Sequence, residues 1–167
     1  IYIPQNPYVF TASLRDNVAF YTPKASDDEI KQAIHVVGLD DLVKELPDGL
    51  DTIIGQGKRV LSGGQAQRIA LARAFLDQQR KVMIFDEPTA HLDIETEVDL
   101  KKKMLPLMKD HLVIFATHRL HWMKEMDYIL VMDHGKLVEQ GTFDELEKKN
   151  GYFVKLIEKM RGDHDEQ

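Results

Sequence analysis

Apolar residues along the chain follow two rhythms. Runs of strand length occur within residues 1–10 and again across 81–140, whereas 11–77 carries its apolar positions at helical spacing. In the helical stretch, Ser26-Asp27-Asp28-Glu29 reads as a capping box, with an N-cap serine and a glutamate three residues on. Ile30, Ala33, Ile34 and Val37 follow on one face, and Gly38 is a C-terminal stop. A short helix is predicted over 41–46, ended by Pro47-Asp48-Gly49, and a third helix from residue 62 to about residue 77.

Beyond residue 78 the two rhythms alternate. Residues 82–85 read as a buried strand, followed by a helix over 94–105 that Pro106 should end or kink. Residues 112–116 form the next strand, and 120–125 a helical stretch. Strands over 128–132 and 136–139 flank Asp133-His134-Gly135, a hairpin signal. The last 22 residues read as one amphipathic helix, with Tyr152, Phe153, Leu156 and Ile157 on its apolar face, then a charged tail. Strands alternating with helices predict an α/β fold on a mostly parallel sheet.

Composition narrows the class. A chain of 167 residues, 43% hydrophobic and 30% charged, is long enough for one domain with a core and is not disordered in composition. Its longest apolar runs, 112–116 and 128–132, are far shorter than the roughly 20 residues a membrane helix needs. The opening Ile1-Tyr2-Ile3-Pro4 has neither an initiator Met nor a signal segment; it reads as mid-strand, cut from something longer. Without cysteine there are no disulfides or thiolate metal sites, which fits a reducing cytosol. The net charge of −6, with both signs interspersed, lacks the basic stripe of a nucleic-acid reader, so no nucleic-acid partner is expected. The seven histidines are scattered, without metal-site spacing.

Three segments carry chemistry. In Leu61-Ser62-Gly63-Gly64-Gln65, Ser62 can cap a helix while Gln65 completes the capping box. The glycines let backbone approach a ligand, and the helix start offers N–H groups and a positive dipole end, an arrangement suited to phosphate. Ser-Gly-Gly by itself is more often a plain loop. Lys81-Val82-Met83-Ile84-Phe85-Asp86-Glu87 delivers two adjacent carboxylates to the C-terminal edge of an apolar strand, where α/β sheets place ligands. Alternation points Asp86 and Glu87 differently, so one can hold Mg²⁺ while the other orients a water. Alone, they would read as solvated acids. His118 in Thr117-His118 ends the next strand and can reach a terminal phosphate, though a lone histidine there is more often structural.

In combination, these segments resemble the ABC ATPase family over nearly the whole chain. Gln5, in Ile3-Pro4-Gln5-Asn6-Pro7, matches the Q-loop; Leu61 to Gln65 matches the signature motif; 82–87 matches the Walker B strand with its catalytic Glu87. Asp93, in Thr89-Ala90-His91-Leu92-Asp93, matches the D-loop, and His118 the switch histidine. The resemblance implies a P-loop NTPase-like fold with a helical signature subdomain. It is incomplete, because no Gly-x-x-x-x-Gly-Lys-Ser/Thr occurs and the P-loop strand beside 112–116 is missing, leaving that strand an unpaired edge. The expected organisation is one partial domain over 1–167, with a Q-loop strand (1–10), the helical signature subdomain (11–77), core strands and helices (78–145), and a C-terminal helix and tail (146–167).

The resemblance further implies an ATPase converting ATP and water to ADP and phosphate, with two such domains paired head to tail, here as a heterodimer. Ser62, Gly63, Gly64 and Gln65 would contact ATP held by the partner. Asp86 and Gln5 would serve Mg²⁺, Glu87 would polarise the attacking water with Gln5 beside it, His118 would steady the γ-phosphate, and Asp93 would communicate across the dimer. The fragment alone should neither bind ATP tightly nor hydrolyse it. Residues 46–57 and 141–146 resemble exporter domains, at the cytoplasmic face of the membrane, although Gln56 stands where the family commonly has Glu. The segments 62–68 and 88–93 look most like bacterial thiol exporters, of cysteine or glutathione, that support cytochrome bd assembly. Tyr8, Val9 and Phe10 would then meet the coupling helices of a transmembrane domain. Other drug, lipid or peptide exporters are the alternative. So is a soluble ABC ATPase, which would bring coiled-coil insertions or basic arms that the sequence lacks.

Overall fold

The computed structural model describes residues 1–165, which fall into two compact units divided between Ala116 and Thr117. Glu166 and Gln167, the end of the expected charged tail, lie outside the described residues. In chain order the first unit holds strands β1 (Tyr2–Ile3) and β2 (Ala12–Ser13), then helices α1 (Leu14–Val18), α2 (Asp27–Val36) and α3 (Asp40–Glu45). Strand β3 (Ile53–Ile54), helix α4 (Gly63–Leu76), strand β4 (Val82–Asp86), helix α5 (Ile94–Met108) and strand β5 (Leu112–Ala116) complete it.

The expected parallel sheet is present, in the order β1-β4-β5, with Tyr2, Ile84 and Ile114 in one row and Ile3, Phe85 and Phe115 in the next. Ile3, Met83 and Phe85 are buried, and the Phe85 ring lies 6.4 Å from Phe75 of α4. The opposite face is open: Val82 is 42% exposed, Leu112 63% and Ile114 51%. The expectation of a wholly buried strand at 82–85 is therefore corrected. Successive strand residues face opposite sides, and only one side of β4 is covered. β5 is the edge strand among the described residues.

The capping box at α2 forms as expected, with Glu29 N donating to Ser26 Oγ at 3.2 Å and Ser26 N donating to the Glu29 carboxylate at 2.7 Å. Gly38 (φ +73°) takes the left-handed conformation that follows the helix. The stretch 11–77 is not purely helical, because β2 and β3 pair antiparallel within it. Gly55 makes this pairing possible: it sits at φ +106°, and a Cβ there would lie 2.7 Å from the Phe10 carbonyl oxygen. Pro106 neither ends nor stops α5, which runs to Met108. It falls in the last turn, where its missing N–H costs a single hydrogen bond.

The second unit opens on a 3-10 turn (Leu120–Glu125), which brings Trp122 into its core. Strands β6 (Ile129–Asp133) and β7 (Lys136–Gly141) form the expected hairpin. His134 and Gly135 both have positive φ (46° and 75°), as a two-residue type I′ turn requires. The single C-terminal helix expected from 146 is instead two, α6 (Phe143–Lys149) and α7 (Tyr152–Asp165). Asn150 (φ 50°) ends α6, and the Glu139 carboxylate accepts from Tyr152 N (3.1 Å) and Phe153 N (3.0 Å) to start α7. A Cβ on Gly151 would collide with that carboxylate, so the break is built into the sequence at Asn150-Gly151. No described helix is long and apolar enough to cross a membrane.

Candidate functional site

Helix α4 is buried almost all round from Ile69 to Phe75, so its orientation is set by apolar packing on every side. Its start carries the second capping box. Gln65 N donates to Ser62 Oγ (3.1 Å), and Ser62 N donates to Gln65 Oε1 (3.0 Å). The amides of the first turn have no intrahelical acceptor, which leaves a positive helix end at Ser62-Gly63-Gly64. Both glycines also sit close against the 91–92 backbone and side chains. A Cβ on Gly63 would lie 3.3 Å from the His91 ring, and one on Gly64 would lie 3.2 Å from the His91 carbonyl.

Strand β4 ends by placing Asp86 and Glu87 at the C-terminal edge of the sheet. The Tyr2 hydroxyl donates to Asp86 Oδ2 at 3.3 Å. Glu87 takes φ +47°, a left-handed conformation that is costly for a residue with a Cβ. Hydrogen bonds hold it there, with Glu87 N donating to the Ala116 carbonyl (2.8 Å) and Ala90 N donating to the Glu87 carbonyl (3.2 Å). The chain then turns into α5, where Asp93 is the N-cap. Thr96 N and Thr96 Oγ1 both donate to its carboxylate and hold its pKa below the usual range.

Gln5 is exposed, yet its backbone is tied to this edge. The side chain of Gln67, wholly buried in α4, donates from Nε2 to the Gln5 carbonyl (3.3 Å) and the Glu87 carbonyl (3.1 Å). Its Oε1 accepts from His91 N at 2.9 Å. The His91 ring in turn meets Asn6 Oδ1 through Nε2 at 3.1 Å. The first unit thus gathers Gln5, Ser62 to Gln65, Asp86, Glu87 and Asp93 around the start of α4. His118 is exposed and belongs to the second unit, beyond the end of β5.

Residues 1–90 match the family profile described as ABC transporter, more than half of the chain. The chain belongs to the ABC transporter family. The glutathione/L-cysteine transport system ATP-binding/permease protein CydC of Bacillus subtilis (strain 168) is 54% identical over 163 residues, covering 98% of the chain and 29% of that protein. CydC of Escherichia coli (strain K12) is 38% identical, covering 92% and 26%. The solved structure of a bacterial Atm1-family ABC exporter with ATP bound matches with a TM-score of 0.86 at 32% identity, over 96% of the chain and 28% of that one. The chain thus spans under a third of the length of these ABC relatives, and its fold is the α/β ABC ATPase fold.

No described cluster of three or more His, Cys, Asp or Glu could hold a metal alone. Asp86, at the end of β4, offers one carboxylate, and Mg²⁺, which keeps waters and phosphate oxygens, needs only one or two. Sequence reasoning passed over Gln67, His91, Tyr2 and Asn6. One signal was available: a glutamine inside an otherwise buried helix needs polar partners.

Proposed function

We propose that this chain is the signature-bearing, catalytic-carboxylate part of the ATP-hydrolysing subunit of an ABC exporter, one that carries thiol compounds such as cysteine or glutathione. The observation that carries the reading is the gathering of Gln5, Glu87 and the Asp93 turn around the first turns of the signature helix. The 54% identity to a CydC supports the thiol branch. Phosphoryl transfer needs positioning and charge stabilisation more than covalent chemistry, and this edge offers both.

Glu87 holds and polarises the attacking water, with the Gln5 side chain beside it. Asp86 and Gln5 would hold Mg²⁺, which would offset phosphate charge when bound. His118 steadies the γ-phosphate. Ser62, Gly63, Gly64 and Gln65 present donors to ATP carried by a second ABC ATPase domain paired head to tail, and Asp93 lies at that junction. No P-loop sequence occurs in these residues, so the fragment depends on an upstream half to bind nucleotide and is inactive alone. That half is expected to add a strand beside β5. The four stretches 1–10, 11–77, 78–145 and 146–167 are its working parts, on the cytoplasmic face of the membrane.

A transmembrane domain docks beside Tyr8 and Phe10, a reading supported by a cavity of about 200 Å³ that these two residues help to line. Tyr8, Phe10 and Phe20 form a ladder with ring centroids 4.9 Å apart, over the buried Arg73 guanidinium. In the intact subunit with its partner, Glu87→Gln should abolish ATP turnover while keeping ATP binding; retained turnover removes Glu87 as the base. Phe10→Ala should uncouple transport of cysteine or glutathione from turnover, and unchanged transport would remove the docking role.

A further inference from the structure

We infer that Gln67 is a positioning residue for hydrolysis. Its carboxamide fixes the backbones of Gln5, Glu87 and His91 to the helix that carries the signature motif. The inference rests on the catalytic reading of Glu87 given above. Gln67 is completely buried, two residues beyond the Ser62–Gln65 capping box, and three hydrogen bonds of 2.9 to 3.3 Å satisfy it.

The orientation of this amide is not arbitrary. The Gln5 and Glu87 carbonyls can only accept and the His91 N–H can only donate, so Nε2 must face the carbonyls and Oε1 the amide. One side chain therefore closes two segments of distant sequence, the turn at Gln5 and the 87–91 stretch after β4, onto α4. Moving either of them would leave a buried polar group of Gln67 without a partner, a costly state. Glu87 gains most, because its left-handed backbone depends on what grips it on either side. The motif proposed to serve the partner's nucleotide and the carboxylate proposed to serve its own are thereby parts of one rigid piece.

A glutamine that only fills space would tolerate a residue of the same size. Gln67→Glu keeps the acceptor for His91 but replaces the donors facing the two carbonyls; Gln67→Met keeps the volume and removes both. ATP hydrolysis by the intact subunit with its partner is the assay, with Glu87→Gln as control. Both Gln67 variants should lower kcat about tenfold or more while KM for ATP stays within about twofold. Unchanged kcat in a folded Gln67→Met protein overturns the inference, as does a rise in KM that matches the fall in kcat/KM with kcat unmoved. Should neither variant fold, hydrogen exchange on the unsubstituted subunit decides. The His91 amide must exchange as slowly as amides of the α4 core, and fast exchange overturns the clamp. If Glu87→Gln leaves turnover intact, the catalytic reading falls and this role with it. If turnover depends on Glu87 but ignores Gln67, this role alone falls.

Discussion

Asn17 offers a sharp test of how the first unit is held together. Its buried side chain accepts from Phe10 N (2.8 Å) and from Arg73 Nη2 (3.0 Å), and donates to the carbonyls of Phe10 (3.0 Å) and Ser13 (3.1 Å). Arg73 also donates to the carbonyls of Asn17 (2.7 Å) and Tyr8 (2.8 Å), and burial pulls its pKa down to about 10. Asn17→Ala leaves the Phe10 N–H without its acceptor and strips one acceptor from a buried cation. At roughly 1–3 kcal/mol for each orphaned group, and more beside a charge, the loss should be about 3 kcal/mol. For a chain of this size that lowers Tm by roughly 6–12 °C. Asn17→Asp keeps both acceptances and gives Arg73 an opposite charge, so about 1 kcal/mol should be lost. Urea unfolding followed by circular dichroism measures both. A loss below about 1 kcal/mol for Asn17→Ala would refute the orphaned-group reasoning.

Three further outcomes can be checked in the same way. Gly55→Ala places a Cβ against Phe10 in a conformation L residues avoid, and should cost about 2–4 kcal/mol, read as a lower urea midpoint. In the second unit Glu139→Ala removes the acceptor of the first α7 amides and should cost about 1–2 kcal/mol, followed by fluorescence of Trp122, the one tryptophan in the chain. Burial raises the Asp77 pKa, but bonds from the Arg80 side chain and the Gln79 and Arg80 amides outweigh it, so the folded value is lowered. A lowered folded pKa means the stabilisation is whole above a pH of about 4 and is lost as the pH falls further through the folded value. The urea midpoint should therefore fall more steeply with acid in the wild type than in Asp77→Asn; parallel curves would refute the assignment.

Much of this was legible because it is local. The capping boxes at Ser26 and Ser62 are written in four consecutive residues each, and the structure forms both. The Asp133-His134-Gly135 turn is equally local. What escaped needs partners distant in sequence. The β2–β3 pairing joins residues some forty apart and is too short to show a period of two. The division of the C-terminal helix had a local signal in Asn150-Gly151 that the apolar pattern of 146–157 overrode, and the start of its second half depends on Glu139 arriving from β7. Gln67 was hidden for the same reason, since its three partners lie on two other segments, around Gln5 and over 87–91.

The capping box at Ser62 sorts its own atoms by polarity. Ser62 Oγ and Gln65 Oε1 are spent as acceptors within the turn. What remains for an outside group is the serine hydroxyl hydrogen and the glutamine amide hydrogens, beside backbone N–H groups that have no acceptor in the helix. A visitor rich in acceptors finds several donors; one rich in donors finds only the second lone pairs of oxygens already engaged in the turn. The preference for an anion is thus settled when the helix forms. The cost of ordering the turn belongs to folding, and little of it is left to charge against binding.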